Sequence, residues 1–321
     1  MLPQLPDPTA FRDPNDTIFG RRSCRIACSQ RVFVLKLATA GMAGTLSRST
    51  TEDMPPVSTE PSPSSDRQPH LLRDIAESFG VDADRYDRVR PRYPDALIQR
   101  IIAASPGAEF LDVGCGTGIG ARQYTAAGIT VLGVDPDTRM AEVARRTGIE
   151  VEIGNFETWD AGGRSFDAVV AGQAWHWVDP VRGAGKAAQV LRPHGLLAAY
   201  WHVFDPPSEV GGAFDDAFRR VAPDAPPQTP GVELQEANLN RATDGIRTAG
   251  GFAEPEHWRF DWQRGYTHDE WLDHLATTGQ LTLLGHDQVA AVRDAVGTAI
   301  DSLGGGFTMQ YVTLAVAATL A

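Results

Sequence analysis

Phe110-Leu111-Asp112-Val113-Gly114-Cys115-Gly116-Thr117-Gly118 is a short apolar strand that runs into a turn built on three glycines. A helix-compatible segment, Ile119 to Ala127, follows directly. Glycines at a strand-to-helix turn let backbone N–H groups come close to a ligand, with the helix N-terminus behind them. A second strand, Val131-Leu132-Gly133-Val134, then ends at Asp135, where a carboxylate is placed to accept both hydroxyls of a ribose. The pattern points to an adenosine site. A dinucleotide fold asks for G-x-G-x-x-G. Counted from Gly114, the third glycine falls one position early, at Gly118, and Ile119 holds the sixth position. The shifted reading, Gly116-x-Gly118-x-x-Ala121, fits the looser form but leaves Gly114 and Cys115 between strand and motif.

Outward from this turn the chain alternates strand and helix, as a parallel α/β sheet requires. Strands are expected at 110–113, 130–134, 151–153, 168–171 and 195–201, and helices at 94–104, 119–127, 136–147 and 179–191. Arg192-Pro193-His194-Gly195 forms the break before the fifth strand. Beyond it come helices at 212–221 and 239–249 around a Pro-rich loop from Asp224 to Gly231. A sixth strand follows at 256–262, then two more helices and a last strand near 307–317. Thr267-x-x-Glu270 reads as a capping box that opens a helix, rather than as part of a metal site with His268, Asp269, Asp273 and His274. No metal is expected.

With Asp112 two residues before the first glycine, residues 112–118 resemble the first motif of the class I S-adenosylmethionine (SAM) dependent methyltransferases. The resemblance spans roughly residues 80–321. It implies a Rossmann-like, seven-stranded, mostly parallel sheet whose last strand is antiparallel, with helices on both faces and a helical cap after strand five. It also implies that Asp112, Gly114, Cys115, Gly116 and Gly118 hold the methionine part of SAM, with Asp112 near its ammonium group. Cys115 is read as offering its backbone rather than a nucleophilic thiol.

Three further segments carry the likeness. Gly154-Asn155-Phe156-Glu157 is similar to the family's G-D-A-E segment, which implies that Asn155 and the Phe156 N–H hold the adenine edge; an ordinary strand-end turn is the other reading. Gly172-Gln173-Ala174-Trp175-His176-Trp177 follows strand four at the edge where ligands bind in open α/β sheets. Gln173 is expected at the cofactor, and His176 either accepts the acceptor's proton or lines the pocket. Trp175 and Trp177 either wall the pocket or pack, and Tyr200, Trp201 and His202 at the end of strand five are expected to shape the acceptor's place with His176. Tyr86-Asp87-Arg88-Val89-Arg90-Pro91-Arg92-Tyr93-Pro94 resembles the leading segment of the small-molecule branch that includes trans-aconitate-type and ubiquinone-type enzymes. There it closes over SAM, which implies roles for Tyr86 and Arg90; a solvated turn before a helix is the alternative.

Composition sets the limits of that reading. The chain has 321 residues and a formal charge of −12. Its first 66 residues hold seven basic and seven acidic side chains, so the remaining 255 carry 22 against 34. Such a body repels a phosphate backbone and argues against nucleic acid as the partner. Residues 1–66 lack a sustained apolar period, and Ser58 to Pro69 reads as a disordered linker. The segment is expected to be a dispensable extension, with Met54 a candidate start. Residues 67–321 form the catalytic domain, divided into a SAM-binding core at 80–202 and a cap with C-terminal strands at 203–321. Three cysteines, Cys24, Cys28 and Cys115, form no pairing framework, which suits a reducing compartment and a cytoplasmic location. No apolar run reaches the ~18 to 20 residues that span a bilayer. Methyl transfer from a sulfonium to a small molecule by in-line displacement is the leading function. Methylation of a protein or tRNA, or a non-catalytic SAM sensor, are the alternatives, and the oligomeric state is left open.

Overall fold

The computed structural model describes residues 79–225, 231–281 and 284–321. The extension at 1–66, with Cys24 and Cys28, lies outside the described residues, as does most of the Pro-rich loop. After a short turn of 3-10 helix at Phe79–Asp82 come α1 (Ala83–Val89) and α2 (Asp95–Ala104). The core then runs β1 (Glu109–Val113), α3 (Ile119–Ala126), β2 (Thr130–Asp135), α4 (Thr138–Arg146), β3 (Glu150–Ile153), β4 (Phe166–Gly172), α5 (Pro180–Val190) and β5 (Leu191–Asp205). Two helices, α6 (Ser208–Val221) and α7 (Gly231–Ala249), precede β6 (Glu256–Thr267). The chain closes with α8 (His268–Leu275), α9 (His286–Ser302) and β7 (Gly306–Thr319).

The strands form one sheet in the order β3-β2-β1-β4-β5-β7-β6. Neighbours from β3 to β5 pair parallel, and β7 lies antiparallel between β5 and β6. A parallel strand covered on both faces must be apolar at nearly every position. That is why β1 and β4 are continuous buried runs, and why their side chains divide by twos. Leu111, Val113, Val169, Ala171, Leu197 and Ala199 point into one core, closed by Ala184 and Ala187 of α5 and Leu239 and Ile246 of α7. Phe110, Ala168, Val170, Leu196, Ala198 and Tyr200 point into the other, closed by Leu97 and Ile101 of α2, Tyr124 of α3 and Ala141 of α4.

A third core explains where sequence boundaries fell short. The strands at one edge are longer than expected: β5 runs on to Asp205, β6 to Thr267, and β7 starts at Gly306. Their outer halves pair with each other, Phe204 opposite Tyr311 and Tyr311 opposite Trp262. On them sit α6, α8 and α9, held by Phe218, Trp271, Leu275, Val292, Val296 and Ile300. These helices are the cap. Arg192–Gly195 does not stand outside β5; the strand begins at Leu191 and its register against β4 shifts across the turn. His194 takes φ 62° there, a left-handed conformation rare for a residue with a side chain. The capping box at Thr267 and Glu270 is present and opens α8. Among the described residues no helix is long and apolar enough to cross a membrane.

The seam between α5 and α7 depends on Gly245, where a Cβ would come within 2.6 Å of the Pro180 backbone. Gly185, on the same α5, has nothing within 4 Å of an added Cβ. We therefore expect Gly245→Ala to lower stability by about 1–3 kcal/mol through overpacking. Gly185→Ala should leave stability unchanged or raise it by about 0.5–1 kcal/mol. Urea midpoints of the two variants check this, and equal shifts would contradict the packing described.

Candidate functional site

The carboxyl ends of β1 to β5 open on a cavity of about 810 Å³ whose far wall is the cap. Gly114, Gly116 and Gly118 all have positive φ, at 63°, 55° and 82°. At Gly114 the need is double, because a Cβ would also meet the Ala174 methyl at 2.5 Å. The turn is held from outside by its neighbour strand: the Gly114 N–H donates to the Val134 carbonyl at 2.8 Å. The Asp135 carboxylate accepts from the Gly116 N–H through one oxygen and from the Asp137 N–H through the other, both at 2.8 Å. Asp135 thus shapes the turn as well as facing the cavity; each oxygen keeps a lone-pair direction for a further donor.

Asp112 and Asp135 are both buried and both line this cavity. Burial first, and then the Asp135 charge, push the Asp112 carboxyl up to about 8. Asp135 rises to about 6 through burial, held back by the N–H groups of Asp137 and Gly116. Two acids are held here at a cost in solvation that a cation would offset. The cradle therefore suits a ligand with a positive charge beside hydroxyl groups. Cys115 lines the cavity, but its Sγ is where a Cβ on Gly133 would lie, within 2.5 Å, and burial pushes the thiol up. It contributes backbone, not a thiolate.

The remaining expected residues divide. Tyr86, Arg90, Asn155, Phe156, Gln173, His176, Trp177 and His202 line the cavity with the acids, Cys115, Gly114 and Gly116. Gly118, Trp175 and Trp201 do not. Gly118 is the left-handed residue that starts α3. Trp175 is buried against Phe156 in the core. Trp201 is fully buried and donates its indole N–H to His176 Nδ1 at 3.1 Å.

That bond decides what His176 is. An indole nitrogen only donates, so Nδ1 must carry the lone pair and Nε2 the proton. Burial, then the Arg241 charge, lower the ring to about 3. In this arrangement the His176 ring lines the cavity in its neutral form, with Nε2–H free to donate.

The leading segment is fixed at several points. The Arg90 guanidinium lies over the Tyr86 ring at 4.8 Å and donates to the Thr277 carbonyl of the cap. Gln123 holds Tyr93 from both sides, accepting from its N–H at 2.9 Å and donating to its carbonyl at 2.8 Å. Tyr200, expected beside the acceptor, lines the cavity, and so do Tyr93, Phe204, Phe218, His274 and Tyr311, which carry no site signal in the sequence. His274 had been grouped with the apparent metal cluster, where the capping box accounted for its neighbours. Gln173, at φ 57°, lines the cavity in a left-handed conformation, its N–H held by the Tyr200 carbonyl at 2.8 Å.

Residues 111–199 match the methyltransferase domain family. An uncharacterized methyltransferase of Mycobacterium tuberculosis is 38% identical over 135 residues, 41% of this chain and 55% of that protein. The malonyl-[acyl-carrier protein] O-methyltransferase of Pectobacterium atrosepticum is 30% identical over 132 residues, 39% and 51% of the two chains. The chain thus spans about half the length of the curated relatives it matches. A solved protein of Anaeromyxobacter dehalogenans, provisionally assigned as a type II methyltransferase, superposes with a TM-score of 0.53 at 26% identity, over 71% of this chain and 97% of that one. The described residues have the fold of the class I SAM-dependent methyltransferases, and residues 111–199 are similar to the methyltransferase domain family.

The His176 arrangement gives a direct expectation. In a ¹⁵N-histidine spectrum the ring should stay neutral from pH 5 to 8, with Nε2 protonated and Nδ1 bare. Trp201→Phe should remove that preference. A wild-type ring titrating near the ordinary value of about 6.5 would contradict it.

Proposed function

We propose that this chain is a SAM-dependent methyltransferase acting on a small molecule by in-line displacement. The observation that carries the reading is the shared cavity: the acid-lined glycine turn at one end and the aromatic wall under the cap at the other line one space. SAM, when bound, supplies a methyl group already activated by its sulfonium charge, so the protein needs no nucleophile of its own. Asp112 and the backbone of residues 114–116 would hold the methionine end. Asp135 would take the ribose, and Asn155 with the Phe156 N–H the adenine edge. Tyr86, Arg90 and Gln173 line the same end. His176 would donate from Nε2 at the junction, and Trp177 would wall it. The cap excludes water and holds the acceptor in line, which is where most of the rate would come from.

The acidic body supports a small acceptor over a nucleic acid, and among similar proteins are a malonyl-[acyl-carrier protein] O-methyltransferase and a demethylmenaquinone methyltransferase. We place the activity in residues 67–321, and the protein in the cytoplasm on its cysteine usage.

Calorimetry tests the cofactor assignment. Asp135→Ala should lower SAM affinity at least tenfold, since bonds to a charged group are worth about 1.5–3 kcal/mol each. Unchanged affinity, or tighter binding of a nicotinamide dinucleotide than of SAM, would overturn it. The acids add a pH signature. Free protein holds a proton on Asp112 below about 8 and on Asp135 below about 6. A cation favours the carboxylates, so binding releases protons and affinity should climb from about pH 5.5 to about 7.5. A flat or falling profile would contradict the placement of the ammonium beside Asp112. A chain starting at Ser65 should keep both SAM affinity and melting temperature; loss of either would refute the division at residue 66.

A further inference from the structure

We propose that His202 and His274 together recognise a neutral hydroxyl group on a flat, apolar acceptor. The role of that hydroxyl rests on the methyltransferase reading; its binding does not. His202 comes from β5 and His274 from the cap helix α8, and both rings line the cavity while being 5% and 1% exposed. Each has a buried Nε2 without a hydrogen-bond partner. A buried polar atom left so is costly, and two of them on residues that line one cavity point to a ligand that pairs with both.

Their tautomers follow from what holds the other nitrogen. His274 Nδ1 faces the Val89 carbonyl at 3.4 Å, which can only accept, so Nδ1 carries the proton and Nε2 the lone pair. His202 Nδ1 lies 2.9 Å from the Thr313 hydroxyl, and that oxygen already accepts from the Trp262 indole N–H at 2.8 Å. Thr313 is fully buried, and among the described residues its hydroxyl proton has no other acceptor, so it goes to His202 Nδ1, which leaves Nε2–H as a donor. One ring offers an acceptor and the other a donor. Those are the two functions of a single hydroxyl. A carboxylate would meet the bare lone pair of His274, and an ammonium would meet the fixed charge of Arg90. Burial and the Arg90 charge keep both rings neutral, each lowered to about 3.

The walls between the rings are aromatic. Tyr93 lies on His202 with centroids 4.7 Å apart, Tyr311 stands edge-on at 5.8 Å, and Phe204 lies 6.4 Å from His274 and 5.9 Å from Tyr311. These faces suit a planar ring carrying the hydroxyl: a phenol, a naphthol or an enol of similar shape.

The test uses 2-naphthol, naphthalene and 2-naphthoate as probes of the full chain, titrated by fluorescence with S-adenosylhomocysteine present and absent. Wild type should bind 2-naphthol at least tenfold more tightly than either of the others. His274→Phe and Thr313→Val should each remove most of that preference while SAM affinity stays within twofold. Should a variant fail to fold, ¹⁵N-histidine spectra of the wild type decide: 2-naphthol should shift both Nε2 signals, with His274 protonated on Nδ1 and His202 on Nε2. Equal binding of naphthol and naphthalene, preference for naphthoate, or the opposite tautomers would overturn the proposal. If naphthol selectivity holds but SAM does not bind, the methyltransferase reading fails and the hydroxyl site stands.

Discussion

The Asp135 carboxylate is the fastening on which the site depends. It ties the end of β2 to the turn after β1 through two backbone N–H groups, and it does so buried beside a second acid. Three left-handed glycines in succession would otherwise be the most entropically loose stretch of the sheet edge. Holding them from a neighbouring strand fixes where their N–H groups point before any ligand arrives. The same burial loads the edge with two carboxyls that favour protonation, so the turn is organised for a cation and not merely open to one.

A second dependency runs through the long edge strands. Because β5, β6 and β7 continue beyond the two main cores, a third core can form on their outer halves and carry the cap helices. The cap is then tied to the leading segment, with Arg90 on the Thr277 carbonyl and Arg85 on Asp273 at 2.5 Å. His274, Phe204 and Tyr311 thereby share a cavity with the glycine turn at 114–118, far earlier in the chain. Cofactor end and acceptor end are built from different cores and share one space.

How much of this was legible follows from how local each signal is. Strands β1, β2, β4 and β5 showed as apolar runs because strands buried on both faces have no polar alternation to hide them, and the glycine turn showed because glycine readily takes the positive φ values needed at 114, 116 and 118. The end of β6 was hidden: exposed Gln263 and Gly265 alternate with half-buried Arg264 and buried Tyr266 along an edge strand, a pattern that also suits a loop. The role of Trp201 was unreadable, since its bond to His176 joins the end of β5 to the loop after β4 and no spacing encodes it. His274 was masked by a stronger local reading, the capping box at Thr267 and Glu270, which explains the helix start but says nothing of what the helix presents to the cavity. Helix α7 starts at Gly231, earlier than its apolar pattern, because its first turns are exposed and so carry no apolar period to read.

The most direct measurement of the central claim is transfer itself. The purified chain would be incubated with methyl-labelled SAM and a cell extract, then separated into small-molecule, protein and nucleic-acid fractions and analysed by mass spectrometry. Label is expected in the small-molecule fraction together with stoichiometric S-adenosylhomocysteine. Label confined to protein or nucleic acid, or SAM binding with no turnover in any fraction, would contradict that claim.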